Sequence, residues 1–104
     1  MHTLTKSNLE NRISKFIIEN KALFRYCNNV YLFGSVLTKT AVPYDIDLLL
    51  VYSCSAEEIV DETKKIRSVL EDELKLPADL TVLSHEELKT TGFLKKVIKY
   101  LKVK

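Results

Sequence analysis

The sequence predicts an α/β fold (α+β with a mixed sheet) in which helices pack on a short mixed β-sheet in the order α-β-β-α-β-α. Apolar residues recur at helical spacing in three segments, and three short runs of β-prone residues lie between them. The strand–helix–strand segment from Asp45 to Leu83 predicts a right-handed parallel crossover. The first two strands are joined by a loop of about ten residues and can pair antiparallel.

Length and composition limit the class of protein. The chain has 104 residues, of which 46% are hydrophobic and 29% charged, and this predicts one domain spanning residues 1–104. No apolar run approaches the roughly 20 residues of a membrane helix, and no signal peptide is recognised. Cys27 and Cys54 cannot form a disulfide framework or a zinc site. We therefore expect a cytoplasmic protein without membrane contact.

The first half of the chain predicts a helix, a strand and a loop. A helix is expected over about Asn8–Leu23, with the capping-box spacing Ser7 to Glu10 at its start. The β-prone run Val30–Phe33 predicts a buried strand. The small and polar residues from Gly34 to Pro43 predict a loop with one helical turn.

The second half predicts two more strands, two more helices and a short terminal strand. The run Asp45–Tyr52 is mostly apolar, which is typical of a central strand. A capped helix follows from Ser55 to Leu74, then a strand over Ala78–Leu83. A last capped helix begins at Ser84, and Tyr100–Val103 predicts a small strand. The expected apolar stripe of the second helix consists of Ile59, Ile66, Val69, Leu70 and Leu74.

Three acidic residues lie on predicted strands, where an ionised carboxylate is costly unless it is paired or binds a metal. Asp45 and Asp47 are two residues apart and leave the same face of the sheet, whereas Ile46 points into the core. Asp79 begins the next strand, which the crossover brings beside the first. Because all the ligands are oxygens, the pattern favours Mg²⁺ or Mn²⁺ over zinc.

A candidate phosphate-binding turn follows the first strand. Gly34 permits close backbone approach, and the amides that follow it can bind phosphate oxygens together with the Ser35 hydroxyl. Phosphate on one side and three acids on the other is the equipment of phosphoryl or nucleotidyl transfer. The alternative is an unrelated phosphate-binding or structural domain in which the acids are surface strand ends.

These residues together resemble a known family. Phe33-Gly34-Ser35, nine residues and then Asp45-Ile46-Asp47 resembles the signature of the DNA polymerase beta-type nucleotidyltransferase superfamily, and Asp79 matches the third carboxylate. The length resembles that of the minimal nucleotidyltransferases, whose genes often lie beside one for a HEPN-domain protein. In some of these toxin–antitoxin pairs the nucleotidyltransferase is the antitoxin and adenylylates its partner.

The resemblance implies roles for the residues. Asp45, Asp47 and Asp79 would be both catalytic and metal-binding, holding two Mg²⁺ ions (or Mn²⁺), with ATP as the nucleotide. Gly34 and Ser35 would hold the β- and γ-phosphates.

The sequence departs from the resemblance after Gly-Ser. The minimal members usually carry arginine and a further glycine at Val36–Thr40, where Lys39 is the cation available in this chain. The alternative within the same fold is therefore a catalytically weak or inactive binding module that neutralises its partner by occlusion. A second protein or a second copy is expected to complete the acceptor site, and the net charge of +2 does not by itself indicate nucleic-acid binding.

Other polar and aromatic side chains have structural and functional interpretations. His85 is expected to face solvent in the first turn of the last helix. Tyr31, Tyr52 and Tyr100 belong to the core or stack on a base. The lysines of the last ten residues form a solvated face and a frayed tail, or contact polyphosphate or an acidic partner. These lysines are Lys95, Lys96, Lys99, Lys102 and Lys104.

Overall fold

The fold is a four-stranded mixed sheet with helices on both faces. A computed structural model describes residues 6–37, 45–53, 56–97 and 99–104. The elements are α1 (Lys6–Glu19), a 3-10 turn (Lys21–Phe24), β1 (Cys27–Phe33), a second 3-10 turn (Gly34–Val36), β2 (Ile46–Tyr52), α2 (Ala56–Leu74), β3 (Ala78–Ser84), α3 (His85–Thr91), α4 (Phe93–Lys96) and β4 (Tyr100–Lys102).

The strand order is β3-β2-β1-β4, with β2 and β1 in the centre. Strand β1 pairs antiparallel with both β2 and β4, and β2 pairs parallel with β3. The mixed sheet, the antiparallel first pair, the parallel second pair and the small terminal strand are all confirmed. The helical turn predicted after β1 is also present, at Gly34–Val36.

The main core lies between one face of the sheet and helices α1 and α2. Leu48 and Leu50 of β2 point to this face and are fully buried, as is Ile46. Buried apolar residues of the two helices cover them: Leu9, Ile13, Phe16, Ile17, Ile59, Ile66, Leu70 and Leu74. Val69 was expected in this stripe but is 41% exposed, because the sheet contacts only the side of α2 that carries the other four.

A smaller apolar layer covers part of the opposite face. Leu49 and Val51 of β2 alternate with the core residues and are also fully buried, although they lie outside the main cluster. On this face Phe93 of α4 packs edge-on against Phe33 of β1, with ring centroids 5.3 Å apart. Strand β2 is therefore buried on both faces, as its continuous apolar run predicts.

Two helix boundaries differ from the expectation. Helix α1 ends at Glu19 instead of Leu23, because the Asn20 side-chain amide donates to the Phe16 carbonyl oxygen (2.7 Å) and its backbone leaves the helical region. The last helix is split at Gly92, whose left-handed conformation (φ 61°) ends α3 and starts α4.

The predicted capping boxes have three different outcomes. The one at Ser84 is confirmed, with Ser84 Oγ accepting from the Glu87 amide (3.0 Å) and the Glu87 carboxylate accepting from the Ser84 amide (2.9 Å). Ser7 lies inside α1 and is not its N-cap, because the helix begins at Lys6. The one at Ser55 and the thiol of Cys54 lie outside the described residues, whereas Cys27 is buried. In the part of the chain that is described, no helix is long and apolar enough to cross a membrane.

The end of the chain is held by hydrogen bonds instead of being frayed. Lys104 Nζ donates to the carbonyl oxygens of Phe24 (2.8 Å) and Cys27 (2.6 Å). The amide of Val103 donates to the Val30 carbonyl oxygen (2.8 Å). The frayed-tail interpretation is therefore wrong for Lys104, which ties β4 to the start of β1.

Replacing Lys104 with methionine should destabilise the fold. The Lys104→Met side chain keeps a similar length but loses two charge-assisted hydrogen bonds, and we expect the free energy of unfolding to fall by about 1–2 kcal/mol. Lys102→Met, at an exposed position of β4, is the matched control and should change it by less than about 0.5 kcal/mol. Urea denaturation measures both. Equal effects of the two substitutions would contradict a structural role for the Lys104 ammonium group.

Candidate active site

Three carboxylates meet where β2 and β3 begin. The parallel register places Asp47 directly opposite Asp79, and Asp45 immediately precedes β2. One carboxylate oxygen from each of the three lies within 4.8 Å of the others. Asp45 and Asp47 are half-buried and Asp79 is exposed, so the group is open to solvent on the Asp79 side. The structure thus brings together the three acids that the sequence singles out.

Backbone contacts hold the starts of the two strands in register. The amide of Ile46 donates to the Pro77 carbonyl oxygen (2.8 Å), which fixes the residue between Asp45 and Asp47. The burial of Ile46 in the core holds the same residue from the other face. Together these contacts position Asp45 and Asp47, the two neighbours of Ile46, beside the start of β3.

Sequence reasoning did not identify Glu71 as part of the site's support. Its carboxylate accepts a hydrogen bond from the Ala78 amide (2.7 Å), and its carbonyl oxygen accepts one from the Lys75 amide (2.9 Å). Glu71 therefore fixes the turn from α2 to β3 and with it the backbone next to Asp79. No signal in the sequence marks it, because Glu71 resembles the neighbouring solvent-facing acids of α2.

Gly34 lies against the second carboxylate. Its φ of +81° lies in the left-handed region that favours glycine, at the point where β1 turns sharply. A Cβ atom built at this position would lie 2.7 Å from Asp47 Cγ and 2.9 Å from Asp47 Cβ. A side chain at position 34 would therefore displace Asp47. The Gly-Ser turn therefore lies beside the acids, and both the positive φ and the lack of space for a Cβ atom require glycine at position 34.

Of the other residues expected to bind phosphate, the structure describes only the backbone of Ser35. The backbone of Ser35 belongs to the Gly34–Val36 turn beside Asp47, but its side chain is outside the described part of the structure. Lys39 also lies outside the described residues. Val36 and Leu37, which follow Ser35, are buried in the main core, so these two positions contact helices instead of a ligand.

His85 and the three tyrosines considered in the sequence lie towards the two opposite ends of the sheet's strands. His85 is exposed at the start of α3, and Tyr52 is half-buried opposite Ser84; both are at the end of the strands remote from the acids. Tyr31 and Tyr100 contact each other edge-on, with centroids 5.6 Å apart, and Tyr100 pairs with Phe33 at the same end as the acids.

The chemistry of the carboxylate group fits a divalent cation. Two like unit charges about 4 Å apart repel by roughly 1 kcal/mol in water and roughly 4 kcal/mol at the effective dielectric of a protein surface. A cation bound between the three carboxylates removes this repulsion. Oxygen ligands that lie this close to one another are those that Mg²⁺ and Mn²⁺ prefer, and Asp45, Asp47 and Asp79 would hold the ion.

Comparison with known proteins gives one match. The family model for the nucleotidyltransferase domain matches residues 10–104, which is most of the chain and includes all three acids and the Gly-Ser turn. The searches of curated proteins and of solved structures found no match.

Substituting Gly34 should disturb both the candidate metal site and the fold. Gly34→Ala combines a disfavoured φ with a clash against Asp47, so we expect at least a tenfold loss of Mn²⁺ affinity and a loss of about 1–2 kcal/mol in the free energy of unfolding. The control is Gly92→Ala, which has a similar positive φ (61°) but no atom within 4 Å of the added Cβ.

Calorimetric Mn²⁺ titration and urea denaturation of both variants separate the two effects. The control should lose similar stability and keep its Mn²⁺ affinity, because its strain is remote from the carboxylates. Unchanged Mn²⁺ binding in Gly34→Ala would contradict the role assigned to the contact between Gly34 and Asp47.

Proposed function

The chain belongs to the nucleotidyltransferase domain family, and on that premise we propose that it transfers AMP from ATP to a hydroxyl group of a protein partner. Family membership excludes the alternative of an unrelated domain with acids at surface strand ends. The observation that carries the proposal is the convergence of Asp45, Asp47 and Asp79 within 4.8 Å beside the Gly34 turn. We propose Mg²⁺ as the metal of this site, with Mn²⁺ as a substitute.

The proposed reaction forms a bond from the acceptor hydroxyl oxygen to the α-phosphorus and breaks the bond from that phosphorus to the bridging oxygen of pyrophosphate. A bound divalent cation would polarise the phosphoryl group and stabilise the charge that develops on pyrophosphate. Asp79 is the exposed member of the three acids and takes up the hydroxyl proton on the acceptor side. The turn that begins at Gly34 and Ser35 holds the β- and γ-phosphates, with Lys39 as an additional cation.

The proposed acceptor is a HEPN-domain protein, and the chain acts as its antitoxin. The support is the resemblance of the Gly34-Ser35 turn and of the three acids to those of minimal nucleotidyltransferases. The described elements form one sheet and its covering helices, and the carboxylates open to solvent at one end of that sheet. A partner surface placed against this end would complete the acceptor site.

A specific observation favours a second candidate function. Val36 and Leu37 are buried where the minimal members usually carry arginine and glycine, so the chain lacks that phosphate-binding charge at these positions. A fold of this kind with weak or lost catalysis would neutralise the same partner by occlusion. Three intact acids favour transfer over this alternative.

Neutralising single acids should abolish transfer without unfolding the protein. Asp45→Asn, Asp47→Asn and Asp79→Asn should each lower transfer of label from α-labelled ATP to the HEPN-domain partner, with Mg²⁺ present, by roughly a hundredfold or more. The control is Asp72→Asn, which removes an exposed acid of α2 that pairs with Lys75.

Asp45→Asn and Asp79→Asn should be at least as stable as the wild type without metal, because each removes like-charge repulsion. Thermal unfolding in chelator measures this. Wild-type transfer rates in the three site variants would contradict the assignment of the active site.

Neutralisation of the partner in cells distinguishes transfer from occlusion. If the chain acts by transfer, the double variant Asp45→Asn/Asp47→Asn should still bind the HEPN-domain protein but should not restore growth of cells that produce it. Growth rescue and co-purification are the two readouts. Full rescue by the double variant would contradict transfer and support occlusion.

A further inference from the structure

One row of side chains crosses the sheet beside the carboxylates. The registers place Asp79, Asp47, Phe33 and Tyr100 opposite one another on β3, β2, β1 and β4. Directly paired residues project from the same face of a sheet, so the two aromatic rings continue the row that the two acids begin. Neighbouring strands lie about 4.8 Å apart, which puts the Tyr100 backbone about 10 Å from that of Asp47.

The two aromatic residues of this row differ in how much of their surface is exposed to solvent. Phe33 is half-buried, and Phe93 of α4 packs edge-on against it at 5.3 Å. Tyr100 is held by an edge-on contact with Tyr31 at 5.6 Å (84° between the rings), yet 47% of the residue is exposed. Tyr100 thus has a fixed neighbour and a large free surface, at the end of the sheet where the acids lie.

The charge around Tyr100 suits an anionic ligand. Residues 85–104 contain six lysines and two glutamates, a net charge of +4, whereas residues 1–84 contain ten basic and twelve acidic residues, a net charge of −2. Lys99 immediately precedes Tyr100 and is exposed, and Lys102 pairs with Tyr31 on the same face of the sheet as Tyr100. A nucleoside triphosphate combines an aromatic base with several negative charges, which matches an exposed ring that has Lys102 on the same face and Lys99 next to it in the chain.

From this arrangement we propose that Tyr100 stacks on the base of the nucleoside triphosphate. The inference rests on the proposed function, which places the α-phosphate at the carboxylates. The ribose then passes the Phe33–Phe93 pair at the end of the strands, and the base reaches β4. Stacking is tolerant of base identity because every base has a π-face. Tyr100 therefore contributes affinity for any nucleoside triphosphate, with purines favoured by their larger ring area.

The test compares a nucleotide with a ligand that has no base. Calorimetry with Mg²⁺ measures the binding of ATP and of inorganic tripolyphosphate to the wild type, Tyr100→Ala and Tyr100→Phe. Tyr100→Ala should weaken ATP binding roughly tenfold and leave tripolyphosphate binding unchanged, whereas Tyr100→Phe keeps the ring and should bind ATP like the wild type. Leu101→Ala is the matched control, since Leu101 is the next residue of β4, is 39% exposed and points to the opposite face.

Each outcome bears on a different claim. Wild-type ATP affinity in Tyr100→Ala, or an equal loss for both ligands, would overturn the stacking role and leave the carboxylate site standing. A similar loss of ATP affinity in Leu101→Ala would also overturn it, because the effect would then come from β4 as a whole. A wild-type chain that binds neither ligand would contradict the proposed function itself, and the stacking role would fall with it.

Discussion

The hydrogen-bonded pairing of β2 with β3 is the constraint on which the site depends. Parallel register puts Asp47 opposite Asp79, and a shift by one residue would turn the Asp79 side chain to the other face. The register is fixed where the strands begin, by the bond from the Ile46 amide to Pro77 and by the bond from the Ala78 amide to Glu71. Because β2 is buried on both faces, a shift of this strand along its neighbours would disrupt packing on both sides of the sheet.

The site gathers like charge at the end of an otherwise apolar strand. Three carboxylates within 4.8 Å repel one another, and the fold tolerates them because the strands that carry them are anchored by apolar burial and backbone bonds. A cluster of like charge on a well-anchored strand is typical of a functional site, where a bound ligand offsets a cost to the fold.

Close packing links the Gly34 turn to the acids. Asp47 occupies the space that a side chain at position 34 would need, so the turn and the second carboxylate are fixed relative to each other. The residues that follow the turn face the core instead of the acids. Val36 and Leu37 are buried in the core beneath it, so these two positions contribute packing and no cationic side chain.

Local patterns in the sequence determined the order of the elements, the burial of β2 and the placement of the three acids on one face, because alternation and strand crossover follow from short-range geometry. They also identified the Gly34 turn.

Only the tertiary structure decided which separate segments meet. The Ala78 amide donates to the Glu71 carboxylate, and the Lys104 ammonium group donates to a carbonyl oxygen at the end of the first 3-10 turn. These bonds, and the place of Tyr100 in the row of the acids, depend on strand register and on turns. The sequence likewise does not predict the split of the last helix at Gly92, since glycine tolerates both a helix interior and a left-handed cap. Some of these contacts join residues that are far apart in the chain, and others involve surface residues that resemble their neighbours in sequence. A short-range sequence pattern therefore does not predict them.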